Sequence, residues 1–338
     1  MIRSNSIRYR VSGIMTHPIT DRLNTPYSLL HTLSLFFVAI LLLSSCKKDT
    51  STTITTAAPN LIFKFKFDST QARLNNIGAT ASMPAGHAGL NPIMNKMSAH
   101  YIELAQTALT QIGNGDIVYK APETTVGGAN AINFAQSYFA ANGDVFYSIP
   151  ISSLTPGDFE YLRVSLAYQN FDVKWHLDTT ITVPPGGPVA ISQDFPGTVA
   201  SFVGFNSYIT SYMVKTQTIT VNGNRAQGYW GFETGGSIAG FPFSNSNSGQ
   251  APANATTVVN PIASTSPIPA GSCLVTGAFA GGAKLHITGH ETSDIVITVS
   301  LSTNKSFEWI DTNGNGKWDA TKGEQIVDMG LRGMIPSF

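Results

Sequence analysis

Oxygen-bearing side chains recur at alternate positions in Asp311-Thr-Asn313-Gly-Asn315-Gly316-Lys317-Trp-Asp319. Counted from Asp311, positions one, three, five and nine carry carboxylate or amide oxygens. Gly316 stands where such a loop turns sharply, and the carbonyl of Lys317 is available at position seven. A hard cation such as calcium takes about six to eight oxygens from a loop that wraps it, and this spacing supplies most of them. Position twelve, where a bidentate glutamate would complete the shell, is Lys322. Glu324 follows two residues later and Asp328 lies beyond, which leaves the closing ligand open. The same residues also describe a plain Asn/Gly-rich turn joining Phe307-Glu-Trp-Ile310 to Gln325-Ile-Val327.

Histidines offer a second, alternative metal chemistry. His286 and His290 bracket Gly289 in Leu285-His-Ile-Thr-Gly-His-Glu291, while His100 and Trp175-His176 lie elsewhere. Two histidines four apart share a zinc ion when a helix brings them to one face with a glutamate between them. Here the glycine interrupts a strand-like run and places both at a turn, so copper or zinc stays the alternative to calcium. A third chemistry is sugar binding, because Tyr229-Trp230-Gly-Phe232-Glu233 clusters aromatic faces that stack on pyranose rings. In a strand Tyr229 and Trp230 point to opposite sides, one toward a core and one outward. Glu233 with Glu160 or Asp172 would form a glycosidase pair only at a separation the sequence does not set. No Gly-x-Ser-x-Gly elbow, phosphate loop or dinucleotide fingerprint occurs. A binding or structural module is therefore expected in preference to an enzyme, its ligand left open between a glycan and a protein.

The elements that must position these groups read as strands. In Leu61-Ile-Phe-Lys-Phe-Lys-Phe-Asp68, Leu61, Phe63, Phe65 and Phe67 alternate with lysines, the pattern of a half-buried strand. Similar runs are 145–149, 161–168, 202–208 and 295–301. Asn222-Gly223-Asn224 predicts a hairpin turn between 216–221 and 225–232, and Thr155-Pro-Gly-Asp158 a turn that delivers the next strand. Tyr101, Leu104, Ala105, Ala108, Leu109 and Ile112 recur at roughly helical spacing and stop at Gly113-Asn-Gly115, which admits a helix. Val183-Pro-Pro-Gly-Gly-Pro188 reads as a hairpin loop or a linker, and 243–252 as a long surface loop. The expected fold is mostly β, an antiparallel sandwich-like arrangement in one large or two smaller units, 60–185 and 186–338.

Composition narrows the setting. Charged residues make up 12% of the 338, with 20 basic and 20 acidic. Nothing in that balance calls for nucleic acid. The first 45 residues carry Arg3, Arg8, Arg10 and Arg22 ahead of an apolar run, Leu33 to Leu43, that is too short to span a bilayer. They read as a signal peptide. Leu43-Ser-Ser-Cys46 resembles the lipobox of bacterial lipoproteins, which implies cleavage before Cys46 and acylation of its thiol. Residues 46–59, rich in Ser, Thr and Ala, resemble the flexible tether of lipoproteins of the Bacteroidota. Lys47 stands where enteric lipoproteins kept at the inner membrane carry aspartate, which favours the outer membrane, at either its periplasmic face or the cell surface. Two or three acyl chains anchor firmly, since each buried methylene contributes about 0.8 kcal/mol.

Two further resemblances bear on ligands. The run from Asp311 is similar to the Asp-x-Asn-x-Asn-Gly calcium loops of EF-hands, dockerins and many bacterial extracellular proteins, departing from them at Lys322. The Phe-Lys-Phe strand followed by a Pro-Gly-x-aromatic strand faintly resembles a domain of copper-binding lipoproteins associated with methanobactin; the likeness covers about a third of the chain and carries over no ligand. With Cys46 acylated, Cys273 has no partner for a disulfide, and its alternating surroundings predict a buried, inert thiol.

Overall fold

The alternation of the first strand decides where the main core forms. In β1 (Asn60–Asp68) Leu61, Phe63 and Phe65 are completely buried while Lys66 is exposed. The computed structural model describes residues 58–74, 79–183, 185–251 and 273–338, so the leader, Cys46 and nearly all of the tether lie outside the described residues. A four-stranded sheet runs in the order β20 (Met334–Ser337), β17 (Ile295–Ser302), β1 and β7 (Val145–Pro150), with β1 parallel to β17 and antiparallel to β7. A seven-stranded antiparallel sheet has the order β14 (Phe241–Gln250), β13 (Tyr229–Ile238), β10 (Gly187–Phe202), β9 (Tyr161–Val183), β3 (Ile93–Ala105) and β4 (Asp116–Lys120). Its last member, β15 (Cys273–Ala278), also pairs with β9. Smaller sheets are β12 (Thr218–Ala226), β11 (Asn206–Met213), β6 (Ala131–Asn133) and β5 (Glu123–Thr124); β19 (Ile326–Met329), β18 (Phe307–Ile310) and β2 (His87–Leu90); and β16 (Leu285–Ile287) with β8 (Gly157–Phe159). About 60% of the described residues are strand, and one sheet curls into a half-barrel. The mostly-β expectation holds.

Two layers share the largest core. Phe63 and Phe65 of β1 and Ile297 and Val299 of β17 pack in one cluster with Ile102 and Leu104 of β3 and Val164 and Leu166 of β9. That is the arrangement of a sandwich, in which inner faces interdigitate. The far half of β9 serves a second core: Phe171 and Val173 meet Phe307 and Trp309 of β18, and Trp318 from the loop beyond β18.

Several expectations are corrected. The segment from Tyr101 to Ala105 is the end of β3, not a helix, and every residue in it is buried. A strand covered on both faces loses its alternation, so apolar residues fall at spacings that mimic a helical period. Residues 243–250 form most of β14 rather than a surface loop. This strand is paired on one side only and largely exposed, so serine, asparagine and glycine fill it and disguise it as a loop. Asn222-Gly223 does not reverse the chain. Val221 and Asn222 together oppose Thr210 in a bulge of β12, with Asn222 at φ 49°; β12 pairs with β11, and a turn at Gln227-Gly228 leads to β13 in a different sheet, so the expected hairpin does not form. The 202–208 run is broken between β10 and β11 by 203–205. Of the expected hairpin loop or linker at 183–188, Val183 pairs with Gly187 at the end of the β9–β10 hairpin.

Phe65 makes tilted ring contact with Phe146 at 4.8 Å in the centre of the first core. Phe65→Ala is expected to cost about 3–5 kcal/mol, read as a lower urea midpoint at unchanged m-value.

Candidate functional site

The 311–325 segment joins β18 to β19, which pair antiparallel through Phe307 with Met329, Glu308 with Asp328, and Trp309 with Ile326. Side-chain oxygens turn the loop inward on itself. Asp311 accepts from the Gly314 amide through Oδ1 and from the Gly316 amide through Oδ2, each at 2.9 Å. Asn313 Oδ1 accepts from Asn315 and Asn315 Oδ1 from Lys317. Gly316 takes φ 69°, a conformation that favours glycine. Further along, Asp319 Oδ1 caps a short turn by accepting from the amide and hydroxyl of Thr321, and the Asp319 amide donates to Glu324 Oε2 at 2.7 Å. That bond brings Glu324 beside Asp319. Asp328, the other candidate, is engaged elsewhere: it accepts from the Gly330 amide and pairs with Arg332 at 2.9 Å.

These donors fit a hard cation in one specific respect. Asp319 and Glu324 are both buried, and Asp319 Oδ2 and Glu324 Oε1 have no hydrogen-bond partner. A buried carboxylate oxygen left unpaired is costly, and a bound cation removes that cost. Among the described residues no group of three or more His, Cys, Asp or Glu is placed to hold a metal. The structure therefore brings Glu324 beside Asp319 but does not gather Asp311 with them around one point.

The histidines are dispersed. His286 Nδ1 bonds Asp158 Oδ1 at 2.6 Å on the surface, while the His290 amide donates to Thr288 Oγ1. His87, His100 and His176 each meet a different carboxylate, Glu308, Glu123 and Asp194. Cys273 is buried, and burial pushes its thiol up to about 12, which leaves it protonated and unreactive.

The foot of the loop is a charged knot. Glu308, 1% exposed, receives Arg73 and Arg332 through Oε2 and His87 through Oε1. Burial pushes the Glu308 carboxyl up, but bonds from His87 and Arg73 and the nearby guanidinium charges outweigh it, so the group is held below its usual range. Asp328 next to it is moved the other way, to about 6, because burial outweighs Arg332.

The loop packs against the seven-stranded sheet and, with it, borders a half-open cavity of about 650 Å³. The Trp318 carbonyl accepts from the His176 amide of β9 at 2.6 Å, and its indole meets Phe307 and Phe232 edge-on. Trp175 of β9, Trp230 and Phe232 of β13, and Phe243 of β14 form the sheet side, facing Trp318 and Ile326. Cross-strand register aligns them: Val199 pairs with Phe232 and Phe232 with Asn247. Rings lie close over the sheet where glycine stands opposite. A Cβ on Gly249 would come within 2.8 Å of the Trp230 indole, and one on Gly197 would strike Phe232. Tyr229 and Trp230 do face opposite sides, Tyr229 entering a core with Phe202 and Tyr212.

Glu233 shares the Tyr229 face and clamps the 214–217 turn. It accepts from the amides of Lys215, Thr216 and Gln217 and from the Thr216 hydroxyl. Glu160 pairs instead with Lys284, and Asp172 with Thr198 and Lys215. Compared with protein-family models, characterised proteins and solved structures, the chain matches none.

Burial raises the Glu233 carboxyl, but those four hydrogen bonds lower it more, to about 2 against an ordinary 4.5. Its stabilisation is complete above pH 4.5 and is lost as pH falls from about 4.5 toward 2. Glu233→Gln is expected to lower stability at neutral pH and to flatten the stability profile across that window. Parallel profiles for the two proteins would refute the clamp.

Proposed function

We propose that this chain is a lipid-anchored protein of the bacterial outer envelope that acts as a binding module, with calcium fastening its 311–324 loop against the seven-stranded sheet. The supporting observation is the pair of buried carboxylate oxygens, Asp319 Oδ2 and Glu324 Oε1, left without partners in a loop whose other oxygens already point inward. Asp311, Asn313, Asn315, the Lys317 carbonyl, Asp319 and Glu324 would hold the ion, which would draw Asp311 in toward the other two carboxylates, and Glu324 takes the closing place because it lies beside Asp319 while Asp328 is bound to Arg332. Calcium would supply positive charge to buried carboxylates. The chain's own part is to hold Trp318 against Phe307 and Phe232, which makes the loop a wall of the cavity.

Extracellular loops of this kind bind with dissociation constants of about 0.1–1 mM. At ten times that concentration, binding adds roughly 1.4 kcal/mol to stability, a rise of about 3–5 °C in Tm for a domain of this size. Metal-free wild type should show that rise on adding calcium, and Asp311→Ala should show none. Identical melting curves with calcium and with chelator would refute the reading.

Anchoring rests on Leu43-Ser-Ser-Cys46 and the basic leader. Labelled palmitate fed to an expressing bacterium is expected to enter the wild type and be absent from Cys46→Ala. An unlabelled wild type, soluble in the periplasm, would contradict the anchor.

A further inference from the structure

We infer that the cavity between the 311–325 loop and strands β9, β10, β13 and β14 binds a neutral, predominantly apolar small molecule, and that calcium in the loop tightens that binding. The inference rests on the binding-module reading and gives it a ligand class.

Size points to a ligand. A half-open space of about 650 Å³ walled by three of the chain's four tryptophans lies within the range of small-molecule sites, which are concave and mostly apolar.

Chemistry of the walls selects the class. No charged side chain lines the cavity. The polar atoms deepest in the sheet wall are already spent on each other: the Trp175 indole N–H donates to Thr234 Oγ1 at 2.8 Å, and that hydroxyl donates to the Pro196 carbonyl at 2.6 Å. The sheet wall there presents ring faces and C–H groups. Unspent hydrogen-bonding capacity comes from the indole N–H of Trp318, buried and without a partner, and from the amides of Asn245, Asn247 and Gln325, all on exposed residues. One buried donor suits a single acceptor on an otherwise apolar molecule, whereas a sugar, with a hydroxyl on most carbons, would leave most of its polar groups unmatched, which is costly. An apolar molecule loses nothing and gains the burial of its surface. An ionised ligand is disfavoured more strongly still.

Calcium linkage follows from which residues are shared. Trp318, Ala320 and Gln325 line the cavity, and each is adjacent in sequence to a residue proposed to hold the ion, Asp319 or Glu324. An ion that fixes Asp319 and Glu324 also fixes the wall between them. By reciprocity, whatever calcium does for the ligand the ligand does for calcium.

The test uses N-phenyl-1-naphthylamine, a neutral apolar fluorophore that accepts energy from tryptophan. Titrated into the intact protein, it should bind at one saturable site in calcium and about tenfold more weakly in chelator, within the usual range of coupling between sites. Asn247→Trp fills the cavity from an exposed strand position opposite Phe232, so it should abolish binding while leaving Tm and its calcium response unchanged. Wild-type affinity in that variant, or no saturable binding at all, would overturn the assignment. So would neutral oligosaccharides that quench the tryptophans where the fluorophore does not. Equal probe affinity with and without calcium, in a protein whose Tm still rises with calcium, would overturn the linkage and leave the calcium loop standing. A missing Tm response would instead strike the calcium reading and with it the linkage, and leave the apolar site to be decided by the saturable binding and the Asn247→Trp result.

Discussion

The register of one long strand governs the molecule. β9 runs from Tyr161 to Val183 and pairs with β10 without a slip, from Tyr168 opposite Phe202 to Val183 opposite Gly187. Its first half gives Leu162, Val164 and Leu166 to the sandwich core, and its second half gives Phe171 and Val173 to the core under β18. Because side chains alternate along a strand, a shift of one residue would turn every one of these to the opposite face. It would also remove Trp175 from the cavity and the His176 amide from the Trp318 carbonyl. The loop and the sheet are thus set by the same pairing.

Buried charge reinforces that frame. Glu308 gathers Arg73 from the segment after β1 and Arg332 from the segment before β20, tying both ends of the folded unit to β18. Glu103, inside β3, accepts from the amides of Gly113 and Gly115 and lies 3.5 Å from Arg163 of β9. Such groups are expensive to bury and more expensive to leave half-paired, so each acts as a lock on one arrangement of its strands.

How much of this was legible in the sequence depended on whether the signal was local. β1 and β17 alternate because one face is apolar and the other less so, and both were read correctly. β3 was obscured because both of its faces are covered, and β14 because its edge position strips it of apolar residues. The spacing of the 311–319 oxygens is local and was visible, but which later acid stands beside Asp319 was not, since only the fold brings Glu324 there and sends Asp328 to Arg332. The cavity was invisible altogether. Trp175, Trp230 and Trp318 come from segments far apart in the chain, and the one local clue was glycine at 197 and 249, where aromatic rings from β13 lie across the sheet.

Trp318 stands between Lys317 and Asp319, inside the loop that would hold the ion, which gives the central claim a direct optical test. Terbium replaces calcium in oxygen-rich loops and luminesces when a nearby indole is excited. Metal-free protein is expected to sensitise terbium emission, calcium should suppress it by competition, and Asp311→Ala should abolish it. Emission that is absent in the wild type, or equally strong in Asp311→Ala, would show that the 311–324 loop does not hold the ion.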